Sequence, residues 1–267
     1  MSKPGMDVAS NSTATGSAKS LVKGIALVDL VADSEEPLRL VDLVERSGIP
    51  RATAVRLLDV LCRADILRSE TDSRYGLGPR VAGWGQAFLE RIDLQHHASD
   101  LIEELVELSG ETCFVGVLDR RTVLYIAAVN SPHAIRPAAR VGSRMPLHST
   151  GIGKVLLAEH TPTERADLLD EPLERRTPNT ITDRSDLLAH LDLVRERGFA
   201  IDEIENEEGV RCVAAPIHDH SGAVAAALSV SAPAYRFTID DLDRLAPDVL
   251  RITDQISRRL GYRPTSD

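Results

Sequence analysis

The stretch at residues 41–63, VDLVERSGIPRATAVRLLDVLCR, constrains the fold more than any other part of the chain. Leu43 and Val44 supply apolar positions before a break at Ser47-Gly48-Ile49-Pro50. Beyond the break, Ala54, Val55, Leu57, Leu58, Leu61 and Cys62 recur at helical spacing. Ala52, Arg56, Asp59 and Arg63 fall on the opposite side, with Arg51 and Thr53 in the first turn. Two helices joined by a glycine turn are thus predicted, the second with one apolar and one basic face. An αα-hairpin in a globular core satisfies this pattern. So does a helix-turn-helix, whose second helix keeps its N-terminal residues free for base edges in a major groove.

The segments flanking this hairpin separate the two possibilities. A helix precedes it, with Leu21, Ile25, Val28 and Val31 expected on one face and an end at Asp33-Ser34-Glu35-Glu36-Pro37. After it, ILRSETDSRYGLG at residues 66–78 offers two short extended runs about a polar turn at Thr71-Asp72-Ser73. Three helices followed by a hairpin make a winged helix-turn-helix, and Arg68, Arg74 and Tyr75 on the wing would meet phosphates. Residues 80–92 then form a connecting helix carrying Val81, Trp84, Phe88 and Ile92. Its lone tryptophan is expected against a neighbour or a partner subunit rather than in chemistry.

Charge placement fits this reading. The 267-residue chain has room for about two domains and a net charge of −10. Between residues 18 and 80 there are ten Lys+Arg and ten Asp+Glu; from residue 81 onward there are twenty and thirty. The acidity therefore belongs to the second part, and a locally basic reading face can still approach phosphates. Cys62, Cys113 and Cys212 are odd in number and far apart, which supports neither a disulfide framework nor a zinc site. No apolar run approaches the ~18 residues of a membrane span, and residues 1–17 read as a flexible tail without a signal-peptide core. The cytoplasm is the expected compartment.

From Leu94 onward the pattern becomes mixed. Leu101, Leu105 and Leu108 mark a helix, and residues 112–118 and 123–129 read as strands around Asp119-Arg120-Arg121. Helices are expected at 150–160 and 185–197, a hairpin at 210–217 and 223–231, and a last helix from Thr238 to about Leu260. That is an α+β domain, an antiparallel sheet with helices packed on it.

Two places in it could carry chemistry. His148-Ser-Thr-Gly-Ile-Gly-Lys154 lacks the first glycine of a phosphate loop, where His148 stands, and its magnesium-binding hydroxyl, where Val155 stands. Ser149 or Thr150 can still cap a helix, with Gly151 and Gly153 letting a ligand near free N–H groups. Plain helix entry with packing glycines fits equally. The second place is Cys212 on an apolar strand opposite Ser229 and Ser231, two residues apart and so on one face of the sheet. Those hydroxyls either orient a small polar ligand or fill a tight core. Glu203, Glu205, Glu207 and Glu208 read as a solvated charge run, and the eight histidines show no metal-binding spacing. No GxSxG elbow exists, no catalytic residue is assigned and no cofactor is implied.

The chain resembles the IclR (isocitrate-lyase-regulator type) family of bacterial transcription factors across about residues 20–260. The N-terminal motifs are SLVKGI from Ser20, GIPRATAVRLLDVL from Gly48 and YGLG from Tyr75. The C-terminal ones are MPLHSTGIGKVLLA from Met145, RGFAIDEIENEEGVRCVAAPI from Arg197 and ALSVSAP from Ala227. The resemblance implies an operator-binding winged helix over residues 18–79, a linker helix over 80–93 used in dimerisation, and a GAF-like effector domain over 94–262. It implies homodimers or dimers of dimers, double-stranded operator DNA, and small organic or aromatic acids as effectors. Carried onto this sequence, the pocket positions are Met145, Gly151, Ile152, Asp202, Cys212, Ser229 and Ser231. Ala52 stands where the family often has Ser, Gly24 replaces a common Ala, and Asp42 a frequent Glu.

The expected protein is a ligand-responsive transcription factor of a catabolic or metabolic operon. Arg51, Thr53 and Arg56 would enter the major groove, and Arg74 and Tyr75 would contact the backbone. The alternatives are a small-molecule enzyme whose first domain serves protein interaction, and a sensor that partners another protein.

Overall fold

The break at Ser47-Gly48-Ile49-Pro50 separates two helices in the computed structural model, which describes residues 16–70, 74–92, 94–169 and 172–263. The chain forms two compact units, one ending at Arg91 and the other beginning at Ile92. In the first, α1 (Gly16–Ala32) is followed by β1 (Leu38–Arg39), α2 (Leu40–Ser47) and α3 (Arg51–Arg63), then β2 (Leu67–Glu70), β3 (Arg74–Leu77) and α4 (Pro79–Ile92). Asp42 accepts the Arg39 N–H at 3.2 Å and so fixes the start of α2. Gly48 ends that helix in the left-handed region, φ 66°, with its N–H on Val44 O.

The core of this unit gathers Leu27, Val31, Leu38, Leu43, Ile49, Ala54, Leu58 and Leu67. It corrects the expected α1 face. The buried stripe centres on Gly24, Leu27 and Val31, and Leu21 and Ile25 lie beside it, 66% and 48% exposed. Val55 of α3 likewise turns outward, since Ala54 and Leu58 take the inward positions. The wing is a three-stranded sheet in the order β1-β3-β2. The expected hairpin pairs Leu67 with Leu77 and Glu70 with Arg74. Its turn, Thr71–Ser73, lies outside the described residues, as does most of the expected tail. The third strand was not anticipated: two residues, Leu38 and Arg39, pair with Tyr75 and Arg74. Trp84 is exposed on α4, with the Arg80 guanidinium 5.6 Å from its ring centre.

The second unit opens with α5 (Leu94–Ser109), which packs on α9 (Ile239–Arg259). Ala98, Leu101, Ile102 and Leu105 face inward, whereas Leu108 is exposed, against expectation. The strands are β4 (Thr112–Asp119), β5 (Thr122–Val129), β6 (Arg144–Pro146), β7 (Ala200–Glu203), β8 (Val210–His218) and β9 (Val224–Pro233). They form one antiparallel sheet in the order β6-β5-β4-β9-β8-β7. Between β6 and β7 lie α6 (Gly151–Ala158), α7 (Pro162–Leu168) and α8 (Arg184–Arg197). Short β6 and β7 and the seven-residue α7 were not predicted, because so few residues show no period.

Helices α5 and α9 cover one sheet face; α6 covers the other, with α8 packed on α6. A strand covered on both sides loses its polar alternation, which is why β9 is buried from Ala226 to Pro233. Helix starts follow ordinary capping chemistry. Thr238 and Asp241 satisfy each other's backbone N–H groups at α9, and Asp183 accepts two N–H groups at α8.

Candidate functional site

Strand register assembles the pocket in the second unit. Asp202 pairs with Cys212, Cys212 with Ser231, and Ser231 with Thr112, so one row crosses β7, β8, β9 and β4. The neighbouring row carries Ala200, Ala214, Ser229 and Phe114. Opposed residues of antiparallel strands share a face. Ser229 and Ser231 therefore lie on the same floor as Cys212 and Asp202.

Over that floor sits the N-terminus of α6. Thr150 Oγ1 accepts the Gly153 N–H at 3.0 Å and donates to Pro146 O at 2.8 Å. Gly151 and Ile152, the first two residues of the helix, have N–H groups with no intrahelical partner. The helix sits this low only because of its glycines. A Cβ on Gly151 would lie 2.8 Å from Cys212 Sγ, and one on Gly153 would lie 2.3 Å from Leu147 O.

A cavity with about 480 Å³ of space, part of it open to solvent, lies between helix and floor. All seven predicted positions line it: Met145, Gly151, Ile152, Asp202, Cys212, Ser229 and Ser231. Sequence reasoning missed its aromatic wall, where Phe114 and Tyr125 stack with ring centres 5.1 Å apart. Phe114 is Ser229's partner across β4 and β9, a signal readable only once register is known. It also missed the cover, Pro137, Ala138 and Ala139, in an irregular segment between β5 and β6. Asn206 and Glu207 complete the mouth.

The acidic run at residues 203–208 is not the uniformly solvated loop expected. Glu205 is buried and forms an ion pair with Lys154, itself wholly buried. Lys154 Nζ also donates to Ile201 O at 2.5 Å. The lysine of the defective phosphate-loop motif thus braces the pocket from behind. Asp202, 4% exposed, accepts the Glu205 N–H at 2.6 Å and the Asn206 N–H at 3.4 Å on Oδ1. Its Oδ2 lies 3.9 Å from Cys212 Sγ.

Burial pushes the Asp202 carboxyl up to about 7, although Lys154 and the two N–H donors pull the other way. Burial also pushes the Cys212 thiol and the Tyr125 phenol well above their ordinary values, so both stay protonated. A thiol so held is no nucleophile. His190 on α8 falls to about 4, chiefly by burial and then by the charges of Lys154 and Arg197. Among the described residues no group of three His, Cys, Asp or Glu could hold a metal ion. None of their helices is long and apolar enough to cross a membrane.

In the first unit, Arg51 opens α3, and the Thr53 and Ala54 N–H groups both go to Pro50 O. Arg51 and Arg56 are exposed, Thr53 half-buried. On the wing, the Arg74 guanidinium lies 3.5 Å from Pro37 O and 3.9 Å from Glu36, and Tyr75 packs against the core. Arg68, paired with Glu70, is the more exposed wing cation.

The family model for the IclR helix-turn-helix domain matches residues 20–71, and that for the bacterial transcriptional regulator IclR C-terminal region matches residues 86–258. The HTH-type transcriptional regulator KdgR of Dickeya chrysanthemi is 34% identical over 248 residues, 92% of this chain and 81% of that protein. The crystal structure of Thermotoga maritima IclR superposes with a TM-score of 0.78 at 29% identity, covering 91% of this chain and 98% of that one. An IclR homologue from Microbacterium hydrocarbonoxydans, complexed with 4-hydroxybenzoate, does so with a TM-score of 0.80 at 25% identity, covering 90% and 98%.

A winged helix-turn-helix followed by an α+β domain with a largely apolar pocket defines a DNA-binding transcriptional regulator with a small-molecule effector domain, not an enzyme. The chain belongs to the IclR family.

Proposed function

We propose that a small organic acid, aliphatic or aromatic, occupies the pocket under α6 and changes the affinity of the winged helix for its operator. The observation that carries this reading is the convergence of two N–H groups at a helix start, two serines and an aromatic wall on one cavity. The bound 4-hydroxybenzoate of the Microbacterium homologue supports an acid of that size. Its carboxylate lies at the Gly151 and Ile152 N–H groups, and its other polar atoms reach Ser229 and Ser231.

Arg51, Thr53 and Arg56 read the major groove, while Arg74 and Tyr75, with Arg68, lie along the backbone from the wing. The regulator works in the cytoplasm as a homodimer or dimer of dimers on a pseudo-palindrome, over a catabolic or metabolic operon. A ligand alters DNA affinity only as far as it favours one arrangement of the winged helices over another. Mobility shift with the gene's own upstream region, with and without acids that raise the melting temperature, tests this. Specific retardation that a binding acid alters is expected. Retardation indifferent to every bound acid, or equally strong on random duplex, overturns it.

A further inference from the structure

The pocket proposed for an acid presents an acid of its own. Among the described residues that line it are Asp202 and Glu207 but no Lys, Arg or His. Lys154, the cation that acts on Asp202, spends its ammonium on Glu205 and Ile201 O. Gly151, Cys212 and Asp202 are close neighbours: a Gly151 Cβ would lie 2.8 Å from Cys212 Sγ, which lies 3.9 Å from Asp202 Oδ2. Gly151 and Asp202 thus flank one sulfur and line one cavity, so a carboxylate seated on the α6 N-terminus shares that cavity with the Asp202 carboxyl. Two carboxylates close together in a buried site do not both ionise; they hold one proton between them.

Resting on the effector reading above, we propose that the pocket takes an organic monoacid together with one proton, shared between the ligand's carboxylate and Asp202. Asp202 is then a specificity residue. Its Oδ1 stays with the two backbone N–H groups, and Oδ2–H donates to the ligand. The proton comes from solvent whenever Asp202 is ionised before binding.

The other groups facing Asp202 do not supply this titration. Tyr125 from β5 and Cys212 from β8 stay protonated throughout the neutral range. Lys154 from α6 and Glu205 from the loop after β7 neutralise each other, and Glu207 lies exposed at the mouth. His190, behind Lys154 on α8, titrates near 4. The sign follows from the buried Asp202 carboxyl, which titrates near 7. Below pH 7 the proton is already present and affinity is flat. Above it each complex takes up a proton, and affinity falls about tenfold per pH unit.

The test is calorimetric titration of the full chain with 4-hydroxybenzoate, gluconate and lactate from pH 5.5 to 8.5, in two buffers of different ionisation enthalpy. Expected are uptake of about one proton at pH 8 and a Kd at least tenfold weaker at pH 8.5 than at pH 6.5. Asp202→Asn, whose amide donates N–H without a proton from solvent, is expected to bind the same acid with a Kd that varies less than threefold over that range. Binding without proton uptake and independent of pH in the wild-type chain overturns the shared proton and leaves the acid effector standing. Binding by none of the three acids at pH 5.5, in a chain that melts cooperatively, overturns both.

Discussion

Lys154 and Glu205 hold each other in the interior, with side chains 0% and 6% exposed, and tie the underside of α6 to the loop after β7. A buried pair of this kind is costly to desolvate and far costlier to break on one side. It fixes the loop that supplies Asp202 with its two N–H donors.

Lys154→Met leaves Glu205 buried without its counter-charge, and a loss of about 3–5 kcal/mol in unfolding free energy is expected by urea denaturation. The double variant Lys154→Met with Glu205→Leu restores most of it, because no charge then remains to be buried. If the double variant is as unstable as the single one, the pair's role is packing rather than charge.

Gly151→Ala puts a methyl group 2.8 Å from Cys212 Sγ at the head of the cavity. Overpacking of this kind costs about 1–3 kcal/mol, and acid binding is expected to fall at least tenfold by calorimetry. Cys212→Ala removes the clashing sulfur, so the pair of substitutions together should recover stability that the first alone loses. Equal destabilisation in both contexts contradicts the contact.

Stability carries a pH signature at Asp202. Its folded carboxyl titrates near 7 against an ordinary 3.8, so between those values the folded chain holds a proton the unfolded chain has lost. The native state is therefore favoured at low pH and loses about 1.4 kcal/mol per unit as pH rises toward 7 from this group. Relative to wild type, Asp202→Asn is expected to gain about 3 kcal/mol between pH 5 and 8 in urea titrations. A stability difference that stays constant over that range refutes the raised carboxyl.

Arg51→Ala and Arg56→Ala should each weaken operator binding by about 1–3 kcal/mol and relax preference at one base position if they read bases. Arg68→Ala on the wing should weaken specific and random duplex alike and lower the salt slope by about one. Mobility shifts at three salt concentrations separate the two behaviours. Uniform weakening by Arg56→Ala would reassign it to the backbone.

Long periodic elements are legible in the sequence alone: α3, the β8–β9 hairpin with its turn at Asp219-His220-Ser221-Gly222, and α9 all fall within a few residues of expectation. Two-residue β1 and three-residue β6 are not, because pairing partners rather than side-chain pattern create them. Leu21 and Ile25 mislead for a different reason: an apolar residue is compatible with a helix's flank, and only the position of α3 and β3 decides which side is covered. The seven pocket positions come from motif resemblance together with the same-face rule for Ser229 and Ser231. Glu205 escapes because it sits in a run with Glu203, Glu207 and Glu208, and nothing local to residues 203–208 announces a lysine about fifty residues upstream. The aromatic wall needs the pairing of Phe114 with Ser229 across two strands distant in sequence.

The seat of the cavity is β9, bonded along its length to β8 and, from Ala227 to Ser231, to β4. Its cover, Pro137 to Ala139, belongs to a stretch with no ladder of its own. Replacing a residue of the strand disturbs two ladders at once, whereas the unladdered span carries no such constraint, so swapping effector preference between relatives is best attempted by grafting that short span and leaving the serine-bearing strand untouched.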